Sequence, residues 1–92
     1  MGKFQEIETG GFREDLDLNF GSQQERIVKK LQEYVYPQLR NQPYFGPNIK
    51  KLRNYNPDTW RYRIGDYRFF YEIDTQRHLV IMIAAEHRSD AY

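Results

Sequence analysis

Trp60-Arg61-Tyr62-Arg63-Ile64-Gly65-Asp66-Tyr67-Arg68-Phe69-Phe70-Tyr71-Glu72-Ile73 is the stretch whose reading decides the fold. From Trp60 onward the period switches to two, as in a half-buried strand, and the runs on both sides of Gly65-Asp66 are rich in aromatic and β-branched residues. Glycine at the first position of a two-residue loop suits a type II′ turn, so the stretch predicts a tight β-hairpin. That loop sets the register. Ile64 faces Tyr67, Arg63 faces Arg68, Tyr62 faces Phe69 and Arg61 faces Phe70. One face then carries Trp60, Tyr62, Ile64, Tyr67, Phe69 and Tyr71 and is the core face. The other carries Arg61, Arg63, Arg68 and Phe70. Two arginines directly opposite each other repel and weaken a strand pair. A sequence shaped for folding alone favours an acid at one of those positions, so the arginines point to a bound polyanion. Guanidiniums on a rigid face hold phosphate oxygens through bidentate hydrogen bonds, and Phe70 beside them is placed to stack on a base. A solvated basic face with no particular ligand accounts for the same residues equally well.

Outward from the hairpin, the turn Thr75-Gln76-Arg77-His78 leads to a third run, Leu79 to Ala85, which completes an antiparallel meander. Ile49-Lys50-Lys51-Leu52 is a short extended piece, and Asn54 to Asp58 is a turn cluster. Asn41 to Pro47 has two prolines, a glycine and Tyr44-Phe45, and reads as an ordered loop. Ahead of it, Ile27, Val28, Leu31, Tyr34, Val35 and Leu39 form an amphipathic stripe at helical spacing. Ser22 and Glu25 match a capping box at its start, and Pro37 ends or kinks the helix near Tyr36. Phe12 and Leu16, four residues apart, suit a shorter helix with acids near its positive end. Lys3 to Thr9 is a candidate first strand. The expected architecture is α+β: one domain over residues 1–92, with an N-terminal helical hairpin packed on a mainly antiparallel twisted sheet.

Composition narrows the function classes. Hydrophobic residues are 39% and charged residues 29% of the 92 residues, as in a soluble globular domain. Cysteine is absent, which excludes disulfides, thiolate zinc sites and cysteine nucleophiles. No apolar run approaches the ~20 residues of a membrane span, and Met1 to Gly10 is polar. The expectation is a cytoplasmic protein without a membrane partner. No Ser-His-Asp set, metal-ligand cluster or phosphate-binding glycine loop is visible, so neither metal nor cofactor is expected. The net charge of +1 conceals an uneven distribution. Residues 1–20 carry a local balance of −3, whereas residues 48–71 carry +4 through Lys50, Lys51, Arg53, Arg61, Arg63 and Arg68 against Asp58 and Asp66. Basic and aromatic residues interleaved in one segment fit a nucleic-acid surface, with Lys50, Lys51, Arg53 and Phe70 as candidate RNA-binding residues, but they also fit a strand with one solvated face and one core face, the reading that charge alone favours.

The chain closes with Glu86-His87-Arg88-Ser89-Asp90-Ala91-Tyr92. Glu86 and His87 are adjacent on a strand and point to opposite faces, so they cannot act as a local pair. Taken with Pro43-Tyr44-Phe45-Gly46-Pro47-Asn48-Ile49-Lys50-Lys51-Leu52 and the hairpin, the ending His87-Arg88-Ser89-Asp90-Ala91-Tyr92 resembles the RelE/ParE toxin superfamily, nearer its RelE branch. The resemblance covers Ser22 to Tyr92 well and the first twenty residues loosely.

The resemblance implies a type II toxin–antitoxin toxin acting as an mRNA interferase. Such a toxin enters the ribosomal A site and cuts mRNA by attack of the ribose 2′-hydroxyl, without a metal. It further implies a cognate antitoxin, with the complex binding operator DNA through that antitoxin. The family pattern falls on Arg61, Arg63, Arg68, Arg88 and Tyr92. Arg61 would orient backbone phosphates, and Arg63 and Arg68 would stabilise charge on the scissile phosphate. Arg88 would neutralise the phosphate or protonate the leaving oxygen, and Tyr92 would stack on a base or assist proton removal. Arginine stands where the family often has lysine, and arginine is always protonated and a poor base. That leaves Tyr92 or His87 for proton removal. The alternatives within the resemblance are a ParE-type inhibitor of DNA gyrase and a degenerate toxin that only binds its antitoxin.

Overall fold

A computed structural model describes residues 3–87. The hairpin forms in the expected register, Trp60 opposite Tyr71 through Ile64 opposite Tyr67. Gly65 has φ +58°, the conformation a first loop position of type II′ requires and one that glycine adopts without a Cβ penalty. Its strands, β3 (Trp60–Ile64) and β4 (Tyr67–Asp74), lie in a five-stranded sheet with β1 (Gln5–Glu8), β2 (Ile49–Lys51) and β5 (Leu79–His87). The order is β1-β5-β4-β3-β2, with β1 parallel to β5 and the other neighbours antiparallel.

The helices lie between β1 and β2 in sequence and cover one face of the sheet. They are α1 (Gly10–Asn19), α2 (Gln24–Lys30) and α3 (Tyr36–Asn41). Phe12 and Leu16 of α1, Ile27, Leu31, Val35 and Leu39 of the second helical segment, and Tyr62, Phe69, Tyr71, Val80 and Met82 of the sheet close one buried core. Burial of the Tyr71 ring carries its hydroxyl inside, where it donates to the Pro43 carbonyl at 2.7 Å. That bond fixes the Asn41–Pro47 loop against the sheet, and Tyr44 packs edge-on to Trp60 at 5.5 Å. No described helix is long and apolar enough to cross a membrane.

The helices depart from expectation in three places. The capping box does not form: Ser22 sits in a 3-10 turn, Gly21–Gln23, and α2 starts at Gln24 with no side-chain cap. The residue at the N-cap is Gln23, so Ser22 lies one position ahead of it. Gln24 is held instead by its side chain, which donates to Asp17 at 2.7 Å. Pro37 does not end the helix near Tyr36. Leu31–Val35 widens into a π turn in which the Tyr36 amide donates to the Leu31 carbonyl, five residues back. A wider turn gives the proline ring room in the preceding turn and needs no proline N–H, so α3 runs on to Asn41. The acids of α1 are not at its positive end. The helix begins at Gly10, capped by the Thr9 hydroxyl, and its first turn contains no acid.

The strands differ from expectation in one place, a bulge. Phe70 pairs with Ala84 but Tyr71 pairs with Met82, leaving Ile83 as an extra residue on β5. A bulge reverses the alternation beyond it. Val80 and Met82 face the core before it, and Ala85 faces the core after it. The same point is clasped from the helix side. Thr9 donates to the Met82 carbonyl through both its amide at 3.1 Å and its hydroxyl at 2.9 Å. Asp15 accepts from the Ala85 amide at 2.9 Å. β1 ends at the residue opposite Met82, so these side chains serve backbone groups that β1 no longer pairs.

β1 is tied to the helices by charge. Arg40 grips Glu6 with two hydrogen bonds of 2.7 and 2.9 Å, and Tyr36 donates a short hydrogen bond to Glu8. Arg13 lies 3.3 Å from Glu8. The Arg40 hydrogen bond lowers the Glu6 carboxyl below its ordinary range. Burial, then the Glu8 carboxylate, pushes the Tyr36 phenol well above its usual value.

Candidate functional site

The sheet face turned away from the helices carries side chains in rows set by the register. The row nearest the hairpin turn is Arg63, Arg68 and Glu86. The next row is Lys50, Arg61, Phe70 and Ala84. Rows on one face are about 7 Å apart along the strand, and neighbours within a row about 5 Å apart. The three expected arginines therefore share one patch, with Phe70 between Arg61 and the far strand.

Their environments differ. Arg63 is exposed, and its Nε reaches the Gly65 carbonyl only at 3.4 Å. Arg61 is half-buried, and its Nε is buried without a hydrogen-bond partner. A buried guanidinium N–H left unpaired is unfavourable, and an anion oxygen delivered to it removes the deficit. Arg68 is half-buried, with its Nη1 at 3.7 Å from Glu86 Oε1. The opposed Arg63–Arg68 pair is thus partly offset by a carboxylate on the next strand, which lessens the repulsion argued from the hairpin alone. Among the described residues Arg61 and Arg63 have no carboxylate partner.

A cleft of about 370 Å³ adjoins the patch. Its floor is Phe70, Glu72, Ala84 and Glu86, and its wall is the segment containing Tyr55 and Thr59. Phe70 thus offers an apolar surface beside the arginines, as its position in the hairpin predicts.

Other expected site residues fall elsewhere. His87 is not brought to the arginine face. Its ring stacks on Tyr67 at 4.7 Å and lies 6.0 Å from Phe20, on the helix side of the sheet. Lys50 shares the arginine face through its pairing with Arg61. Lys51 does not: its Nζ sits 5.8 Å from the Trp60 ring centroid and 3.3 Å from Asp58. Arg53 is exposed in the turn after β2. Arg88 and Tyr92 lie outside the described residues. His78, expected in a turn, adopts φ +55° and packs on Phe4 at 5.1 Å. Glu86, Glu72 and Tyr55 are site residues that sequence reasoning missed. Leu79 to Ala85 is apolar throughout, so nothing in it marks where the alternation reverses. No group of three or more His, Asp or Glu side chains suited to a metal occurs among the described residues.

A five-stranded mixed sheet with helices on one face and a basic patch on the other defines a small α+β domain. The family model described as the ParE toxin of the type II toxin–antitoxin system parDE matches residues 11–92, and the chain belongs to that family. It is a type II toxin–antitoxin toxin of the RelE/ParE superfamily, and its fold is that of RelE toxins. The RelBE2 toxin–antitoxin complex of Mycobacterium tuberculosis aligns with TM-score 0.72 and 24% identity, covering 94% of this chain and 99% of that one. The isolated RelE toxin of E. coli aligns with TM-score 0.67 and 18% identity, covering 96% and 87%. The RelB–RelE complex of Methanococcus jannaschii aligns with TM-score 0.62 and 26% identity, covering 89% of each chain. Among curated proteins, none matches the sequence.

Proposed function

We propose that the protein is a RelE-type mRNA interferase, a metal-independent endoribonuclease that cuts mRNA in the ribosomal A site. The observation that carries this reading is the patch of Arg61, Arg63 and Arg68 on one rigid face, with an unsatisfied Arg61 Nε and Phe70 at its centre. The sheet holds the guanidiniums in place before any ligand arrives, so little reorganisation is needed when charge develops on a phosphate. Arg61 and Lys50 orient the backbone phosphates. Arg63 and Arg68 stabilise the scissile phosphate. Phe70 stacks on a base. Arg88 and Tyr92 complete the set by resemblance. The expected partners are mRNA on the ribosome and a cognate antitoxin; the M. tuberculosis and M. jannaschii neighbours are toxin–antitoxin complexes, which supports the second. The toxin–antitoxin complex would reach operator DNA through the antitoxin.

Purified protein added to ribosomes programmed with a defined mRNA should yield cuts at the A-site codon ending in a 2′,3′-cyclic phosphate. Arg68→Ala should lower the rate about 100-fold or more, the usual loss when a fixed electrostatic stabiliser is removed. Intact mRNA with folded wild-type protein would overturn the reading. The family match itself favours a second reading, inhibition of DNA gyrase by a ParE-type toxin. A supercoiling assay with the same preparation separates the two.

A further inference from the structure

We infer that Glu86 is the general base of the proposed cleavage, an inference that rests on the RNA-cutting reading. Transfer of a phosphoryl group to a ribose 2′-hydroxyl needs a proton acceptor beside the phosphate ligands. The arginines cannot serve, because guanidinium does not deprotonate. Of the two residues the resemblance leaves for proton removal, Tyr92 lies outside the described residues, and His87 is turned to the other side of the sheet, stacked on Tyr67. Glu86 is turned to the arginine side by the bulge at Ile83 and stands opposite Arg68 in the register. Its Oε1 is 3.7 Å from Arg68 Nη1, and its side chain is 58% exposed and lines the cleft together with Phe70. Glu72, the other carboxylate of the cleft, lies four residues further along β4 than Arg68, about 13 Å away.

The pair is long and open to water, so it holds weakly. A phosphate offers Arg68 a bidentate partner and displaces the carboxylate. Glu86 is then left beside the bound phosphate with a free oxygen. The 2′-hydroxyl proton passes to Glu86 Oε as the 2′-oxygen forms its bond to phosphorus. The bond from phosphorus to the 5′-oxygen breaks, and that oxygen takes a proton from water. Glu86 returns its proton to solvent. The products are a 2′,3′-cyclic phosphate and a 5′-hydroxyl, with no co-reactant.

The competing explanation is that Glu86 only offsets the charge of Arg68, and the two make opposite predictions for Glu86→Gln. Loss of a charge-balancing acid leaves Arg68 freer for phosphate, so binding tightens and cleavage is kept or rises. Loss of a base leaves binding intact or tighter while the bond-breaking rate falls. The test is single-turnover cleavage of A-site mRNA on programmed ribosomes, with the rate at saturating toxin and the half-saturating concentration measured separately. Glu86→Gln is expected to lower the saturated rate about 100-fold or more without raising the half-saturating concentration, and Glu86→Asp to recover part of it. A saturated rate for Glu86→Gln within about threefold of wild type overturns the inference while the RNA-cutting reading stands. So does a loss confined to the half-saturating concentration. If the wild type itself cuts nothing, both fall together. Circular dichroism of each variant checks the fold.

Discussion

At the scale of single residues, the hairpin was legible to the last pairing because two independent signals agreed. Alternation chose the faces, and Gly65-Asp66 chose the register. Tyr71 shows what alternation leaves out. Its place in the core follows from the pattern, but the hydrogen bond to Pro43 depends on a loop 28 residues away. Tyr71→Phe should therefore cost about 1 kcal/mol in urea unfolding, because a buried carbonyl loses its donor while the packing is kept. Phe69→Ala, at the same depth and without a polar atom, should cost about 3–5 kcal/mol. The arginines were legible as a group, but their partners were not. That Arg61 has an unsatisfied Nε and that Arg68 faces Glu86 depends on neighbours across two strand pairs.

At the scale of elements, type and order could be read from the residues, and boundaries were moved by backbone geometry. The π turn at Leu31–Val35 absorbs Pro37, which a helical periodicity cannot foresee. The acids of the first helix look like dipole partners in the sequence, yet Asp15 serves the Ala85 amide of a strand 70 residues away. Asp15→Ala should lower stability by about 1–3 kcal/mol, because it strands a backbone donor. The same change should speed hydrogen exchange at Ala85 more than at Phe69, which a uniform loss of stability would not do. The Glu6–Arg40 fork gives a pH-dependent counterpart. The hydrogen bond from Arg40 holds the Glu6 carboxyl below its ordinary value of 4.5. The stabilisation is present above that value and is lost as pH falls through the lowered folded one. The stability gap between wild type and Arg40→Ala should thus be full at pH 7 and shrink below about pH 4 in urea titrations.

At the scale of the whole molecule, a net charge of +1 and a basic functional face coexist because, apart from Glu72 and Glu86, the placed acids are spent elsewhere. Glu6 and Glu8 hold β1, and Asp15 holds β5. RNA affinity should accordingly follow the patch and not the total. Binding of single-stranded RNA should weaken with salt at a logarithmic slope of about −0.7 for each phosphate contacted, and Arg63→Ala should reduce the slope by about that amount. Buried phenols set the alkaline limit. Burial raises the Tyr36, Tyr62 and Tyr71 hydroxyls above their ordinary value of 10.0. The stabilisation is complete below that value and is lost as pH rises past it, because the unfolded chain ionises first. The bulge at Ile83 has a different kind of consequence, one of inheritance. No substitution at Glu86 or His87 exchanges the sides they occupy. An in-frame loss of the single codon for Ile83 would not do so either: it removes the extra residue and the bulge together, and regular alternation then leaves Glu86 opposite Arg68 and His87 opposite Tyr67. The side chain offered to a ligand is thus governed by the pairing with the neighbouring strand and not by the length of the last one, and variants one residue shorter there would differ in local bend and twist while keeping the same chemistry.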